Sequence, residues 1–353
     1  MRPEALATPD ALTALRLNAQ TYPVEPAERE ALAAAGARLL EIEGRDEAEL
    51  HRLAGEVDAL LVVSAYVPAG LIERMPRCRT IARLGAGTDR IDIAAATAAG
   101  IVVSNVPDFC LGEQADHTMV LLLALARRLP WMQAAMRRGN WTARQDPKVH
   151  RLAGRTLGLL GFGASAQAVA RRAAAFGLQV QAWTRRPEAW REAAQRVGVR
   201  MAGFDEVLAG SDFLSVHLPL APETRHLIGA RELALLRPNA QIVNTARGAI
   251  FDEAALVEHL RTHPDSAAAL DVFEGIDVFQ PPGTPASHPL LELDNVICTP
   301  HSAGSSVEST AESKIRGAQH AAQVLGGQWP THVVNPQVQP RAGALTPAVP
   351  DRG

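Results

Sequence analysis

One stretch limits this chain more than any other. Residues 156–170 read TLGLLGFGASAQAVA. An apolar run of strand length comes first, then a glycine turn, then an alanine-rich segment that ends at Gly177. Strand, turn and helix are the context that the G-x-G-x-x-G/A pattern requires. Gly161 permits the tight turn, and Gly163 lets the backbone approach a pyrophosphate. Ala166 is small enough for the helix to pack on the strand. The free N–H groups and positive dipole end of the new helix suit phosphates. Small residues also occupy ordinary tight turns, so the pattern gains weight from its flanking strand and helix. The expected cofactor contacts are the whole turn: Gly161, Phe162, Gly163, Ala164, Ser165 and Ala166.

The chain has 353 residues, enough for two domains, and 47% are apolar. Its net charge of -3 offers no basic footprint for nucleic acid. The longest apolar stretches, such as 119–126, are too short to span a bilayer. The N-terminus has no hydrophobic signal core. Cys78, Cys110 and Cys298 are scattered, show no metal spacing and read as reduced thiols of a cytoplasmic protein. No membrane, nucleic acid or metal is expected.

Short apolar runs alternate with helical patterns along residues 12–105. Candidate strands are Leu15–Leu17, Arg38–Ile42, Ala59–Val63, Thr80–Leu84 and Ile101–Ser104, with helices such as Glu28–Ala35 and Ile91–Ala99 between them. Such alternation predicts an α/β domain with a mainly parallel sheet. Leu84 leads into a Gly85-Ala86-Gly87 turn, which reads either as a plain loop or as backbone N–H groups for a small anion. Residues 111–129 predict one long helix, too apolar to be exposed all round, placed between domains or at a subunit contact. Asp116 and His117 lie on it, and His117 reads as packed or solvated. The second α/β unit should have six strands: Thr156–Leu160, Gln179–Trp183, Phe213–Val216, Ala240–Asn244, Ala267–Val272 and Val296–Thr299. The Pro-, Ala- and Gly-rich tail 337–353 reads as disordered.

In open parallel sheets, ligands bind outside the carboxyl ends of the strands. Four such ends here are polar. They carry Ser215 and His217, then Asn244 to Gly248 with Arg247, then Asp271 and Glu274, then Thr299 to Gly304 with His301. Each alone has a structural reading: a surface arginine, a capping aspartate, a packed histidine. Their convergence on one dinucleotide crevice is what points to chemistry.

The segments 84–92, 158–170, 216–224, 243–256, 270–273 and 299–304 together resemble the D-isomer-specific 2-hydroxyacid dehydrogenase family, in that family's order. The similarity runs from about Ala59 to Asn335. Residues 106–118 also resemble the subgroup that contains the C-terminal-binding-protein corepressors. The resemblance implies two Rossmann-like, doubly wound parallel-sheet domains in a homodimer. The substrate domain would be split over 1–108 and 303–336. The dinucleotide-binding domain, 109–302, would be inserted into it. Arg247 would clamp the substrate carboxylate, as a guanidinium matches it with two parallel hydrogen bonds. His301 would be the acid/base, and imidazole suits that role near neutral pH. The N–H groups of Gly85, Ala86 and Gly87 would bind the other side of the carboxylate. Asp271 would orient the nicotinamide carboxamide. His217, Pro219, Thr245, Ala246 and Gly304 would line the cofactor cleft, and Ser64, Ala65 and Tyr66 part of the substrate pocket.

The chain departs from the family at one position. The family has a glutamate five residues after the aspartate, paired with the histidine; here that position is Ile276. The loop is also longer than usual. Asp277 or Glu274 would have to take the role, with Asp277 the nearer in register. The cofactor is expected to be NADP(H), with NAD(H) possible. Thr184 lies 23 residues after Gly161, where NAD enzymes carry an acid for the ribose 2′-hydroxyl, and Arg185 and Arg186 follow it. The alternative for that pair is a solvated turn. The expected reaction is hydride transfer at C2 of a small 2-keto or 2-hydroxy acid. Two other readings stand beside it: a dinucleotide-sensing binding protein with little turnover, and oxidation of another small anion such as formate or phosphite.

Overall fold

A computed structural model of the chain describes residues 11–146, 148–277, 279, 287–341 and 343–347. Their contacts form two compact units. Unit 1 comprises residues 1–109 and 306–353, and unit 2 comprises residues 110–305.

Unit 1 is built on five parallel strands: β1 (Leu12–Arg16), β2 (Ala37–Glu41), β3 (Ala59–Val62), β4 (Thr80–Arg83) and β5 (Val102–Ser104). Their order is β2-β1-β3-β4-β5, so the topological switch lies between β1 and β3. All of β3 is buried, as expected of a strand covered on both faces. The two chain segments meet through the Val307–Leu325 helix, which packs on the Pro26–Ala34 helix and on β3 and β4. Gly317 makes that approach possible: a Cβ there would come within 2.2 Å of Leu84 Cδ2.

Unit 2 holds seven parallel strands: β6 (Thr156–Leu160), β7 (Gln179–Trp183), β8 (Arg200–Met201), β9 (Phe213–Val216), β10 (Gln241–Asn244), β11 (Ala267–Leu270) and β12 (Val296–Cys298). Their order is β12-β11-β10-β9-β6-β7-β8. The chain winds outward in both directions from β6 and β9, so the crevice lies at their carboxyl ends. The doubly wound α/β architecture is therefore that expected from the sequence. β8 is an added strand that two residues could not announce by periodicity. β11 reads AAAL, and Ala267 and Ala269 share a core cluster with Ala115, Met119 and Leu122 of the Leu111–Ala126 helix. Small side chains on the strand let that apolar helix sit close to the sheet.

Two expectations change. The long helix predicted over 111–129 breaks into Leu111–Ala126 and Leu129–Arg137. Arg128 between them has a left-handed backbone, φ 50°. Pro130 explains the break, since it has no N–H to give to the fourth carbonyl back. The tail, read as disordered, makes defined contacts over its described residues. Val338 is buried beside Val102 and Val324. The Arg341 N–H donates to the Gly100 carbonyl at 2.8 Å, and its guanidinium to the carbonyls of Met75 and Pro76. Thr346 bridges to Gln328. Hydrogen bonds to backbone carbonyls, from the main chain and from the Arg341 guanidinium, and one buried valine hold this segment, and none of these leaves a periodic pattern to read.

Candidate active site

The fingerprint turn has the geometry that its glycines require. Gly161 has φ 98°, and a Cβ there would lie 2.3 Å from the His217 carbonyl oxygen. Only glycine fits both the angle and the contact. Gly163 caps the Ala164–Ala175 helix, and a Cβ there would meet no described atom within 4 Å. Ala166 is fully buried against the core. A glycine cradle, an open helix N-terminus and a small packing residue suit a dinucleotide pyrophosphate.

His217 follows β9 and backs this turn. Its Nδ1 lies 3.0 Å from Ser165 Oγ and its Nε2 lies 2.9 Å from Ser215 Oγ. The residue keeps a partly exposed edge, yet burial of the ring pushes its pKa down to about 4. It is a neutral imidazole at physiological pH. Pro219 is exposed, and its carbonyl accepts from Thr224 Oγ1.

At the end of β7, Thr184 is half-buried, and Arg185 and Arg186 are exposed. Among the described residues, neither arginine joins an ion pair. Glu188 nearby is held by Arg191.

Three strand ends build one polar cluster. Asp271, after β11, is fully buried. Its Oδ1 accepts from Thr299 Oγ1 at 2.5 Å and from the Ser302 N–H at 2.9 Å. Its Oδ2 accepts from the Ala303 N–H at 2.9 Å. The carboxylate thus holds the turn that carries His301. His301 itself has φ 55°, rare for a residue with a side chain, and donates its N–H to the Asp271 carbonyl at 2.9 Å. Arg247, after β10, is half-buried. Its turn is fixed by Asn244, whose Nδ2 donates to the Arg247 carbonyl at 2.9 Å and whose Oδ1 accepts from the Ala246 N–H at 3.0 Å. A Cβ on Gly248 would lie 2.2 Å from the Phe273 carbonyl carbon, so the Arg247 turn sits directly against the strand end of Asp271. Gly304 packs against Cys110, whose Sγ would be 2.9 Å from a Cβ there.

The Leu111–Ala126 helix adds Gln114 and Thr118, which sequence reasoning missed, and His117, which it read as packed or solvated. Gln114, His117 and Thr118 form a polar stripe on an otherwise apolar helix. Gln114 Nε2 donates to the Thr245 carbonyl at 3.1 Å, and the hydroxyls of Thr118 and Thr245 are 2.9 Å apart. His117 Nε2 lies 3.1 Å from Thr299 Oγ1 and 3.6 Å from Asp271 Oδ1. The i, i+3, i+4 spacing was a usable signal. Thr245 and Ala246, expected to line the cofactor cleft, thus already have protein partners.

The two carboxylates considered for His301 are placed differently. Glu274 is held by Arg225 and, at 2.7 Å, by His226 Nε2, while its N–H donates to Glu253. Asp277 Oδ1 accepts from the Phe279 N–H at 3.2 Å, and the Phe279 ring lies 5.1 Å from the His301 ring, centre to centre. Phe279 was not singled out in the sequence. Residues 278 and 280–286 of this loop lie outside the described residues.

In unit 1, the Gly85–Gly87 turn is more than a plain loop. The carbonyls of Gly85, Ala86 and Gly87 accept from the Val106 N–H, Asn105 Nδ2 and Arg83 Nε. This fixes the peptide planes. The Gly85 N–H, expected to bind anion, is donated to the Arg83 carbonyl at 2.9 Å. That corrects its role: the N–H groups of Ala86 and Gly87 are the two without a partner among the described residues. Asn18 Oδ1 accepts from the N–H groups of Ser64 and Ala65, at the switch between β1 and β3. Tyr66 is exposed, with the Arg90 guanidinium stacked 4.4 Å over its ring.

Among the described residues, no cluster of metal-ligating side chains occurs, and no helix is long and apolar enough to cross a membrane. Among the described residues, no disulfide joins Cys78, Cys110 or Cys298.

The model of the D-isomer specific 2-hydroxyacid dehydrogenase NAD binding domain matches residues 119–303. A D-3-phosphoglycerate dehydrogenase of Methanocaldococcus jannaschii is 39% identical over 308 residues, which are 86% of this chain and 57% of that protein. The chain thus spans little more than half of that relative. A glyoxylate reductase of Thermococcus litoralis is 37% identical over 80% of this chain and 85% of its own length. A solved glyoxylate reductase from Paecilomyes thermophila superposes with a TM-score of 0.79 at 30% identity, covering 93% of this chain and 99% of that one. The chain belongs to the D-isomer-specific 2-hydroxyacid dehydrogenase family.

Proposed function

We propose that the chain is a reductase of small 2-keto acids, transferring a hydride to C2 to give the D-2-hydroxy acid. The observation that carries this reading is the Asp271-held turn, which fixes His301 beside the strand end of Arg247 on a dinucleotide fold. When bound, the nicotinamide cofactor supplies the hydride. Arg247 holds the substrate carboxylate. His301 gives a proton to the keto oxygen as it gains charge. Asp271 holds the His301 turn and orients the carboxamide. His217, with Pro219, backs the pyrophosphate turn.

Glu274 is committed to Arg225 and His226, so Asp277 is the carboxylate we assign to His301. Its link to Phe279, which lies against the His301 ring, supports the assignment. NADP(H) is the proposed cofactor, because Thr184 stands where an acid would repel a 2′-phosphate and two exposed arginines follow. A homodimer is proposed through the 111–145 segment, where Val120, Leu129, Met136 and Trp141 are exposed apolar side chains. Three cysteines without a disulfide among the described residues suit a cytoplasmic protein.

The test is a pair of variants. His301→Ala should lower kcat about 10²-fold or more with cofactor affinity kept. Arg247→Ala should act mainly on substrate use. Near-normal kcat/KM in both would refute the assignment, whereas cofactor binding without turnover in the parent would favour a dinucleotide sensor.

A further inference from the structure

Three side chains behind the fingerprint turn form a continuous polar chain: Ser215 on β9, His217, and Ser165 in the first turn of the Ala164–Ala175 helix. The contacts are 2.9 Å from Ser215 Oγ to His217 Nε2 and 3.0 Å from His217 Nδ1 to Ser165 Oγ. Neither hydroxyl has another partner among the described residues. Ser215 is fully buried, whereas Ser165 is only half-buried.

A neutral imidazole donates from one nitrogen and accepts at the other, so the chain can run in two directions. If Nε2 carried the proton, it would donate to Ser215, and the buried Ser215 O–H would have no acceptor. An unsatisfied buried donor is costly. If Ser215 donates to Nε2, every buried proton is placed. Nδ1 then carries the hydrogen and donates to Ser165 Oγ, and the Ser165 proton must point away from His217. It emerges beside the N–H groups of the helix N-terminus.

We infer that Ser215, His217 and Ser165 form a hydroxyl–imidazole–hydroxyl relay that turns the Ser165 proton outward as an added donor to the cofactor pyrophosphate. The inference rests on Gly161–Ala166 being the pyrophosphate turn. The direction of the relay is stable near neutral pH, because burial holds His217 in its neutral form down to about 4.

The experiment has two arms. Dissociation constants of NADPH and NADH are measured by fluorescence for the parent and Ser165→Ala. Alanine is the best helix former, so the variant keeps its helix. Both cofactors share the pyrophosphate, so Ser165→Ala should weaken both, by about tenfold or more, as for a hydrogen bond to a charged group. Nitrogen NMR of His217 in the parent should show the Nδ1–H tautomer. A parent that binds cofactor with Ser165→Ala within twofold of it, or an Nε2–H tautomer, would overturn the relay and leave the fingerprint reading standing. A parent that binds neither cofactor would overturn both.

Discussion

His301 has a left-handed backbone, φ 55°, and its N–H is donated to the Asp271 carbonyl oxygen at 2.9 Å. The Asp271 carboxylate accepts from the next two N–H groups, those of Ser302 and Ala303. One buried aspartate therefore holds a strained turn by both its main chain and its side chain. Asp271→Asn keeps the size but turns an amide NH2 toward a backbone donor. We predict a loss of roughly 1–3 kcal/mol in unfolding free energy, together with a lower kcat, because the His301 turn loosens. Urea unfolding and steady-state rates check this. An unchanged midpoint with unchanged kcat would contradict it.

Asp277→Asn should lower the apparent pKa of the acid group in the pH–rate profile, since a nearby negative charge favours the imidazolium. Glu274→Gln should leave the profile in place, because that carboxylate is held by Arg225 and His226. The opposite pattern would reverse the assignment.

The fold was readable because each strand is a short apolar run bounded by glycines and polar turns. Gly161, Gly163 and Ala166 mark the crevice in the sequence itself, since their roles depend on the absence or smallness of a side chain. Gln114 was hidden, and His117 read only as packed or solvated, because the helix that carries them is mostly apolar, and its polar residues have meaning only against Thr245 and Thr299. Glu274 and Asp277 differ by three positions in a lengthened loop, and register favoured Asp277. The partners of Glu274, Arg225 and His226, are distant in sequence and could not be read from it. The Gly85 N–H looked free in the sequence, but its turn folds back on Arg83.

Cofactor preference has its own test. The parent should show a higher kcat/KM with NADPH than with NADH. Thr184→Asp combined with Arg185→Ala should shift preference toward NADH, by repelling the 2′-phosphate and removing a guanidinium. A parent that prefers NADH would refute the reading. A double variant with unchanged preference would remove these residues as its cause.

Stability should fall in acid. His320 is almost fully buried, and burial pushes its pKa down to about 4; burial does the same for His259. The folded state keeps these rings neutral, while the unfolded chain protonates them near the ordinary value of about 6.5. Their contribution to stability is complete above that value. It declines as pH falls below it and levels off near 4. Urea midpoints should drop between about pH 6.5 and 4, and His320→Leu should flatten part of the slope. A flat midpoint across that range in the parent would contradict the burial argument.

The central claim is that this site reduces a 2-keto acid. The most direct measurement follows loss of NADPH or NADH absorbance with glyoxylate, hydroxypyruvate, pyruvate and bulkier 2-keto acids, with chiral analysis of the product. The account predicts turnover of at least one of them to the D-2-hydroxy acid. Tight cofactor binding with no turnover across the whole panel, or an L-product, would contradict it.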